Sequence, residues 1–176
     1  INDLNATTVA ELSMFSITGE VGTSGETTID AGGYVFRGIT ANIQLRNGIY
    51  WTQPMDTYNI DRVELLRGPT AFLYGEGSAG GLMNQLTKVA EQRDSQKVNL
   101  ISGSYHLRRA EFDLNRRVND KVAVRMAVVK HVSDGFKNHI DRDFFAAYFT
   151  ANYHPFKNTV LNVNFEYGNN NTTMGY

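Results

Sequence analysis

The stretch Ile60-Asp61-Arg62-Val63-Glu64-Leu65-Leu66-Arg67-Gly68-Pro69, followed by Leu73-Tyr74-Gly75, Gly80-Gly81-Leu82-Met83-Asn84 and Thr87-Lys88, decides how this 176-residue chain is read. Ile60 to Leu66 has the make-up of a strand, and Leu82 to Lys88 reads as another. Between them Gly75-Glu76-Gly77-Ser78-Ala79-Gly80 matches the G-x-G-x-x-G spacing of dinucleotide sites. Its context does not fit: Pro69 and a short apolar stretch precede it, Gly81 stands where a helix should start, and there is no Lys for a P-loop. A tight glycine turn that lets two backbones pack closely is the plainer reading.

Upstream, Tyr34 to Gly38 and Ile43 to Arg46 look extended, and Asn47-Gly48 suits the two positive φ angles of a type I′ hairpin turn. One helix is expected, Ala6 to Ser16, where Val9, Leu12 and Phe15 recur at spacing three behind the capping candidates Thr7 and Thr8.

Downstream of about residue 90 the pattern changes to alternation. From Arg109 to Val118, Ala110, Phe112, Leu114 and Val118 share one parity, while Arg109, Glu111, Asp113, Asn115 and Arg117 share the other. Val122, Val124, Met126 and Val128 face away from Arg125 and His131. Phe145, Ala147, Phe149, Ala151 and Tyr153 oppose Thr150, Asn152 and His154, and Leu161, Val163, Phe165 and Tyr167 oppose Asn162, Asn164 and Glu166. Lys97 to Tyr105 is a weaker fifth strand. Asn119-Asp120 and Pro155 to Asn158 make short joins, whereas Ser133 to Asp143 is an eleven-residue polar loop at the other end. Short turns at one rim, long loops at the other, and aromatic residues at strand ends (Phe144, Tyr153, Phe156, Tyr167) suit an outer-membrane barrel. A soluble antiparallel sheet with one wet face has the same alternation, so this half leaves both readings open.

Composition narrows the function classes. With 17 Lys and Arg against 18 Asp and Glu, the net charge of −1 and the lack of a basic cluster argue against nucleic acid as a partner. The absence of Cys removes disulfides, thiolate zinc sites and cysteine nucleophiles. No stretch approaches the roughly 18 apolar residues of a spanning helix, a test that does not bear on barrel strands. Ile1-Asn2-Asp3 opens inside ordinary sequence, so the chain is expected to be mature or cropped. His106, His131, His139 and His154 lack metal-ligand spacing, and the pair His139 and Asp141 falls short of the three or four ligands a metal site needs. No catalytic residues, metal ligands or cofactor are assigned. The triplets Asn5-Ala6-Thr7 and Asn171-Thr172-Thr173 are discounted as chance sequons.

Taken in order, Phe36-Arg37-Gly38, Asn47-Gly48, Ile60 to Pro69, Leu73-Tyr74-Gly75, Gly80 to Asn84 and Thr87-Lys88 closely resemble the plug domain of TonB-dependent outer-membrane receptors, over about residues 7 to 176. Asn47 stands where that family usually has Asp, Asp61 where it has Glu, and Thr18 to Val21 where a Pro-Gly-Val turn often follows the first helix. The resemblance implies a mixed α/β plug domain at 1–92 and, at 93–176, the first five or so antiparallel strands of a transmembrane β-barrel. At about 9 to 11 residues per strand, a plugged 22-stranded barrel needs roughly 200 residues in strands alone, so the chain is expected to be a fragment.

The same resemblance implies a function. It places this protein in the outer membrane of a Gram-negative bacterium, in contact with lipid, as an energy-coupled importer rather than an enzyme. A small-molecule ligand, most in the style of a ferric siderophore, docks on outward plug loops that offer Thr40, Asn42, Gln44, Tyr50, Trp51 and Gln53. The inner-membrane TonB energising complex then pulls the plug. Arg37 and Arg67 are implied as a latch against barrel glutamates, for which planar guanidinium groups are suited. Cobalamin, haem or oligosaccharide would use the same plug, and a passive barrel or adhesin is the rival from another class.

Overall fold

The computed structural model describes residues 19–21, 34–36, 39–41, 44–53, 56–66, 82–134 and 141–173, the first three stretches by their backbone alone. The expected helix at 6–16, the glycine turn at 75–80, Arg37, Asn42, Arg67 and His139 lie outside these residues. The chain divides into two compact units, Ile1–Thr87 and Lys88–Tyr176.

In the first unit, β1 (Gly19–Val21), β2 (Tyr34–Phe36) and β3 (Ile39–Ala41) form an antiparallel sheet in that order. A second sheet contains β4 (Gln44–Arg46), β5 (Ile49–Tyr50), β6 (Ile60–Leu66) and β7 (Leu82–Thr87) in the order β5-β4-β7-β6. The decisive stretch therefore supplies two paired strands, β6 running antiparallel to β7, while β4 joins β7 in parallel. Asn47 and Gly48 take φ of 52° and 81°, the two left-handed angles a type I′ turn requires, and close the β4–β5 hairpin with Arg46 opposite Ile49. Leu45 and Leu82 form a small apolar core against Leu66. Helical structure among the described residues of this unit is a single 3-10 turn, Thr57–Asn59, capped by Asp56, whose carboxylate accepts the Tyr58 N–H at 3.0 Å.

The second unit is one antiparallel meander, β8 (Ser95–Ser102), β9 (Arg108–Asn119), β10 (Val122–Asp134), β11 (Asp141–Phe156) and β12 (Thr159–Thr173), each strand paired with its sequence neighbour. β9 and β10 turn through Asp120-Lys121, where the Asn119 side-chain oxygen accepts the N–H groups of both Lys121 and Val122 at 2.8 Å. The strands outrun their apolar patterns. Ser133 pairs with Arg142 and Asp134 with Asp141, so the polar loop expected over 133–143 is strand at both ends, and β12 continues past Gly168 to Thr173. Backbone hydrogen bonds build the ladder whatever the side chains, so the polarity change marks a change of surroundings, not the end of the strand.

Register sorts the side chains onto two faces. Met126, Phe149 and Phe165 stand in one cross-strand row, Val128, Ala147 and Tyr167 in the next, and Val98, Phe112 and Val128 share the same face. This apolar face is the exposed one: Leu100 is 75% and Phe165 66% exposed, whereas Arg109 at 3% and Asn115 at 1% on the polar face are buried. A soluble sheet buries its greasy face and wets the polar one. Here the order is inverted, as in a wall whose outside meets lipid. Phe144 is a correction to the strand-end aromatics: it pairs with His131 and Asn170, on the polar face, with the Arg142 guanidinium 5.5 Å from its ring centre. Period-2 parity puts it opposite Phe145.

Candidate functional site

Of the expected ligand residues, Gln44, Tyr50, Trp51 and Gln53 lie in or beside the β4–β5 hairpin. Its tight turn brings Tyr50 opposite Leu45, and Trp51 follows, its backbone N–H donating to the Gln44 backbone carbonyl at 3.0 Å. The Arg46 guanidinium lies 4.8 Å from the Trp51 ring centre, a cation–π arrangement that holds the indole in place. Tyr50 is 52% exposed and Gln53 is exposed as well. Gln44 is different. It lies in β4 at 5% exposure, its amide nitrogen donating to the Gln53 carbonyl at 3.3 Å and its amide oxygen accepting from Gln85 at 3.2 Å. The residue expected in an outward loop is thus a buried brace of the hairpin. Thr40 likewise sits in a strand, β3, opposite Val35, rather than in a loop.

The hairpin is tied down by side-chain amides. The Asn47 side chain accepts the Thr87 N–H at 2.9 Å and donates to the Thr87 hydroxyl at 2.8 Å, while Asn84 accepts the Gly48 N–H at 3.0 Å and donates to Glu64 at 3.2 Å. Gln44, Asn84, Gln85 and Thr87 are all buried. Among the described residues, this unit is held as much by polar bonds, each worth about 1 kcal/mol net, as by apolar packing.

A second constellation lies on the polar face of the second unit, where the segment Lys88–Asp94 runs across β9 to β11. Four successive backbone carbonyls are taken by side chains of the strands. Tyr148 donates its hydroxyl to Lys88 O at 2.9 Å, Arg125 donates to Val89 O at 3.2 Å, Asn152 to Ala90 O at 3.4 Å and Asn115 to Glu91 O at 2.9 Å. Asn115 also accepts the Glu91 N–H at 2.9 Å and donates to the Arg93 carbonyl. The charges interlock: Asp113 takes Lys88 Nζ at 2.8 Å and Arg125 Nε and Nη2 at 2.8 and 2.9 Å, and Arg125 Nη1 reaches Glu91 at 3.8 Å. At the end of the segment, Asp94 accepts the Arg117 N–H at 2.8 Å and an Arg116 guanidinium N–H at 3.0 Å. The backbone N–H first, then the guanidinium, hold the Asp94 carboxyl below its ordinary value of 3.8.

Sequence reading missed this second set. Its signal was present in the charged parity of Arg109 to Val118 and in Thr87-Lys88, but nothing along the chain says which charges meet. His131 on the same face bonds Ser133 Oγ through Nε2 at 3.0 Å, and His106 pairs with Asp134 at 2.5 Å near the loops. Among the described residues no group of three or more potential ligands could hold a metal ion.

Comparison with known proteins bears on both units. The model of the TonB-dependent receptor plug domain matches residues 1–82. Over 88 residues the chain is 33% identical to the metal-pseudopaline receptor CntO of Pseudomonas aeruginosa (strain UCBPP-PA14), an alignment taking in 49% of this chain and 12% of that receptor. Over 78 residues it is 31% identical to the ferrichrome outer membrane transporter/phage receptor of Escherichia coli K12, taking in 44% of this chain and 10% of the other. The closed form of the ferric-catecholate import receptor Fiu of E. coli K12 superposes with a TM-score of 0.87 at 22% identity, covering 99% of this chain and 25% of that one. For the pyoverdine receptor FpvA of P. aeruginosa bound to pyoverdine, the TM-score is 0.85 at 23% identity, covering 96% and 26%. At such identities the structural likeness speaks for the fold. Residues 1–82 thus match the plug domain of TonB-dependent receptors, the curated relatives are receptors of that kind, and the fold of the chain is the one seen in solved structures of such receptors.

Proposed function

We propose that this chain forms the plug, within 1–92, and the opening barrel strands, within 93–176, of an energy-coupled outer-membrane importer of ferric siderophores. The observation that carries the reading is the inverted sheet, with an apolar face exposed and a charged face buried on strands that follow directly from a plug. In this reading the plug is mixed α/β, its first helix falls within 6–16, and the complete barrel has 22 strands. Tyr50, Trp51 and Gln53, with Thr40 and Asn42, meet the ligand on the outward side, and Gln44 braces the hairpin beneath them. Aromatic faces beside amides suit a bulky polar chelate. Arg37 and Arg67 latch the plug to acidic residues of the barrel. The TonB complex of the inner membrane supplies the work, since binding alone shifts the plug only by its difference in affinity between two states.

Ferric chelates are preferred over other cargo because curated receptors with 28 to 33% identity are named for metal-pseudopaline, ferrichrome, catecholate and other siderophore ligands. No covalent chemistry is required. The test is a binding panel on the whole receptor with ferric catecholates, ferric hydroxamates, haem, cobalamin and glycans. Saturable binding of a ferric chelate with TonB-dependent uptake is expected. Binding confined to haem, cobalamin or a glycan rejects the siderophore reading, and no uptake of any of them points to a passive barrel.

A further inference from the structure

A plug that is drawn aside must leave part of the chain behind, and the second unit contains a segment gripped at four successive carbonyls. We propose that Lys88–Asp94 is a stationary anchor strap: it stays docked on β9 to β11 while the chain upstream of Lys88 is displaced. The proposal rests on the importer reading for its motion, but the anchor itself is a property of the second unit.

Three observations carry it. The strap is gripped by its main chain, since Tyr148, Arg125, Asn152 and Asn115 hold the carbonyls of residues 88 to 91 in turn. Bonds that lie side by side along a segment share a load, and letting the strap go would strand several buried donors at once. The ion network has the same consequence. Asp113 bonds both Lys88 and Arg125, with side-chain exposures of 12 to 18% for the three, and withdrawing Lys88 takes a charge-assisted bond away from a largely dehydrated carboxylate. The strap is also closed at both ends, by Lys88 on Asp113 and by Asp94 on Arg116 and Arg117. In the described part of the first unit, Leu45 and Leu82 form a small apolar core and the Asn47 and Asn84 amides tie the hairpin to β6 and β7. Asn115 is the central positioning residue, because its one amide takes the N–H and C=O of Glu91 and the carbonyl of Arg93.

The experiment places one cysteine at Ala90, 2% exposed, in the otherwise cysteine-free sequence of this segment of the whole receptor, and measures its reaction with a small hydrophilic maleimide in cells. A parallel receptor with Met83→Cys reports on the first unit. Cells are labelled at rest and while taking up radio-iron supplied as a ferric catecholate. A fixed strap keeps Cys at 90 equally protected in both states, and Asn115→Ala raises its labelling at rest by roughly an order of magnitude. Labelling at 90 that rises during uptake in the receptor with Asn115 intact overturns the proposal. So does protection that survives Asn115→Ala, because the clamp would then not be what holds the strap. Absence of iron uptake from this catecholate and from the ferric hydroxamates of the binding panel counts against the importer reading, while the resting measurement with Asn115→Ala still decides the anchor.

Discussion

Asp113 on β9 and Arg125 on β10 meet through two parallel hydrogen bonds of 2.8 and 2.9 Å, and the ammonium of Lys88 shares the same carboxylate at 2.8 Å. One acidic group thus serves two cations on a buried face. Asp113→Asn keeps the shape and removes the charge, leaving Lys88 and Arg125 without it. Breaking one partner of a buried pair costs about 3 to 5 kcal/mol, and the residual exposure here favours about 3. Thermal unfolding of the refolded receptor in detergent checks this. A loss under about 1 kcal/mol rejects the triad as a structural unit. Replacing all three residues by apolar ones of similar size is expected to cost much less than the single change.

The apolar face predicts an asymmetry between neighbours in one strand. Phe149 stands between Met126 and Phe165 on the exposed face, while Thr150 beside it is fully buried on the other. Phe149→Arg is expected to weaken folding into phospholipid vesicles by about 2 to 4 kcal/mol, the cost of a cation near mid-bilayer. Asn164→Arg, on the opposite parity of β12, should cost less than 1 kcal/mol if the polar face has room for it. Equal penalties for the two would mean that the faces are wrongly assigned.

At the hairpin, Gly48 takes φ +81° and a Cβ there meets nothing within 4 Å. Gly48→Ala therefore tests backbone strain alone, at about 1 kcal/mol. Asn47→Ala adds to similar strain at φ 52° the loss of its bonds to Thr87, for about 2 to 3 kcal/mol. Asn47→Asp keeps the acceptor for the Thr87 N–H and a residue tolerant of this angle, so it should stay within about 1 kcal/mol. Hydrogen exchange at the Thr87 amide is the readout, and an unprotected amide in Asn47→Asp would contradict the assignment.

Asp94 gives the pH dependence its sign. Its folded value lies below the ordinary 3.8, so the ionised form is favoured by folding. The stabilisation is therefore fully present above about 3.8 and is lost as pH falls through the lower, folded value. Asp94→Asn should destabilise the strap end at pH 7, and the difference from the parent should be constant from pH 7 to 5 and vanish only in strong acid. Maleimide labelling at 90 across pH checks this, and a difference that fades between pH 7 and 5 would point to another group.

Trp51 is the single tryptophan of this chain and lies beside Arg46 next to exposed Tyr50. If the hairpin meets the ligand, Trp51→Ala lowers affinity for a bound ferric chelate by about tenfold or more, as removal of a packed aromatic anchor does. Unchanged affinity in both Trp51→Ala and Tyr50→Ala moves the ligand elsewhere.

Strand placement was legible along the chain because it is local. Alternation over Arg109 to Val118 and Phe145 to Tyr153, the Asn47-Gly48 turn and the Ile60 to Leu66 run each arise from a few neighbouring residues, and each is matched by a strand or turn. Parity alone did not tell which face is buried, since a soluble sheet and a barrel wall alternate alike and differ only in what surrounds them. Nor did it locate Gln44, which looked like a loop amide until β7 placed Gln85 against it. The strap lay further out of reach. Tyr148 meets Lys88 across 60 positions and Asn115 meets Glu91 across 24, spacings that carry no period and leave no local mark. The strands, the turn and the family pattern could be read from the chain alone, because they are short-range properties of backbone and side chain. Which charges meet and which backbone is gripped emerged with the folded sheet, because those contacts exist only once distant strands share one face.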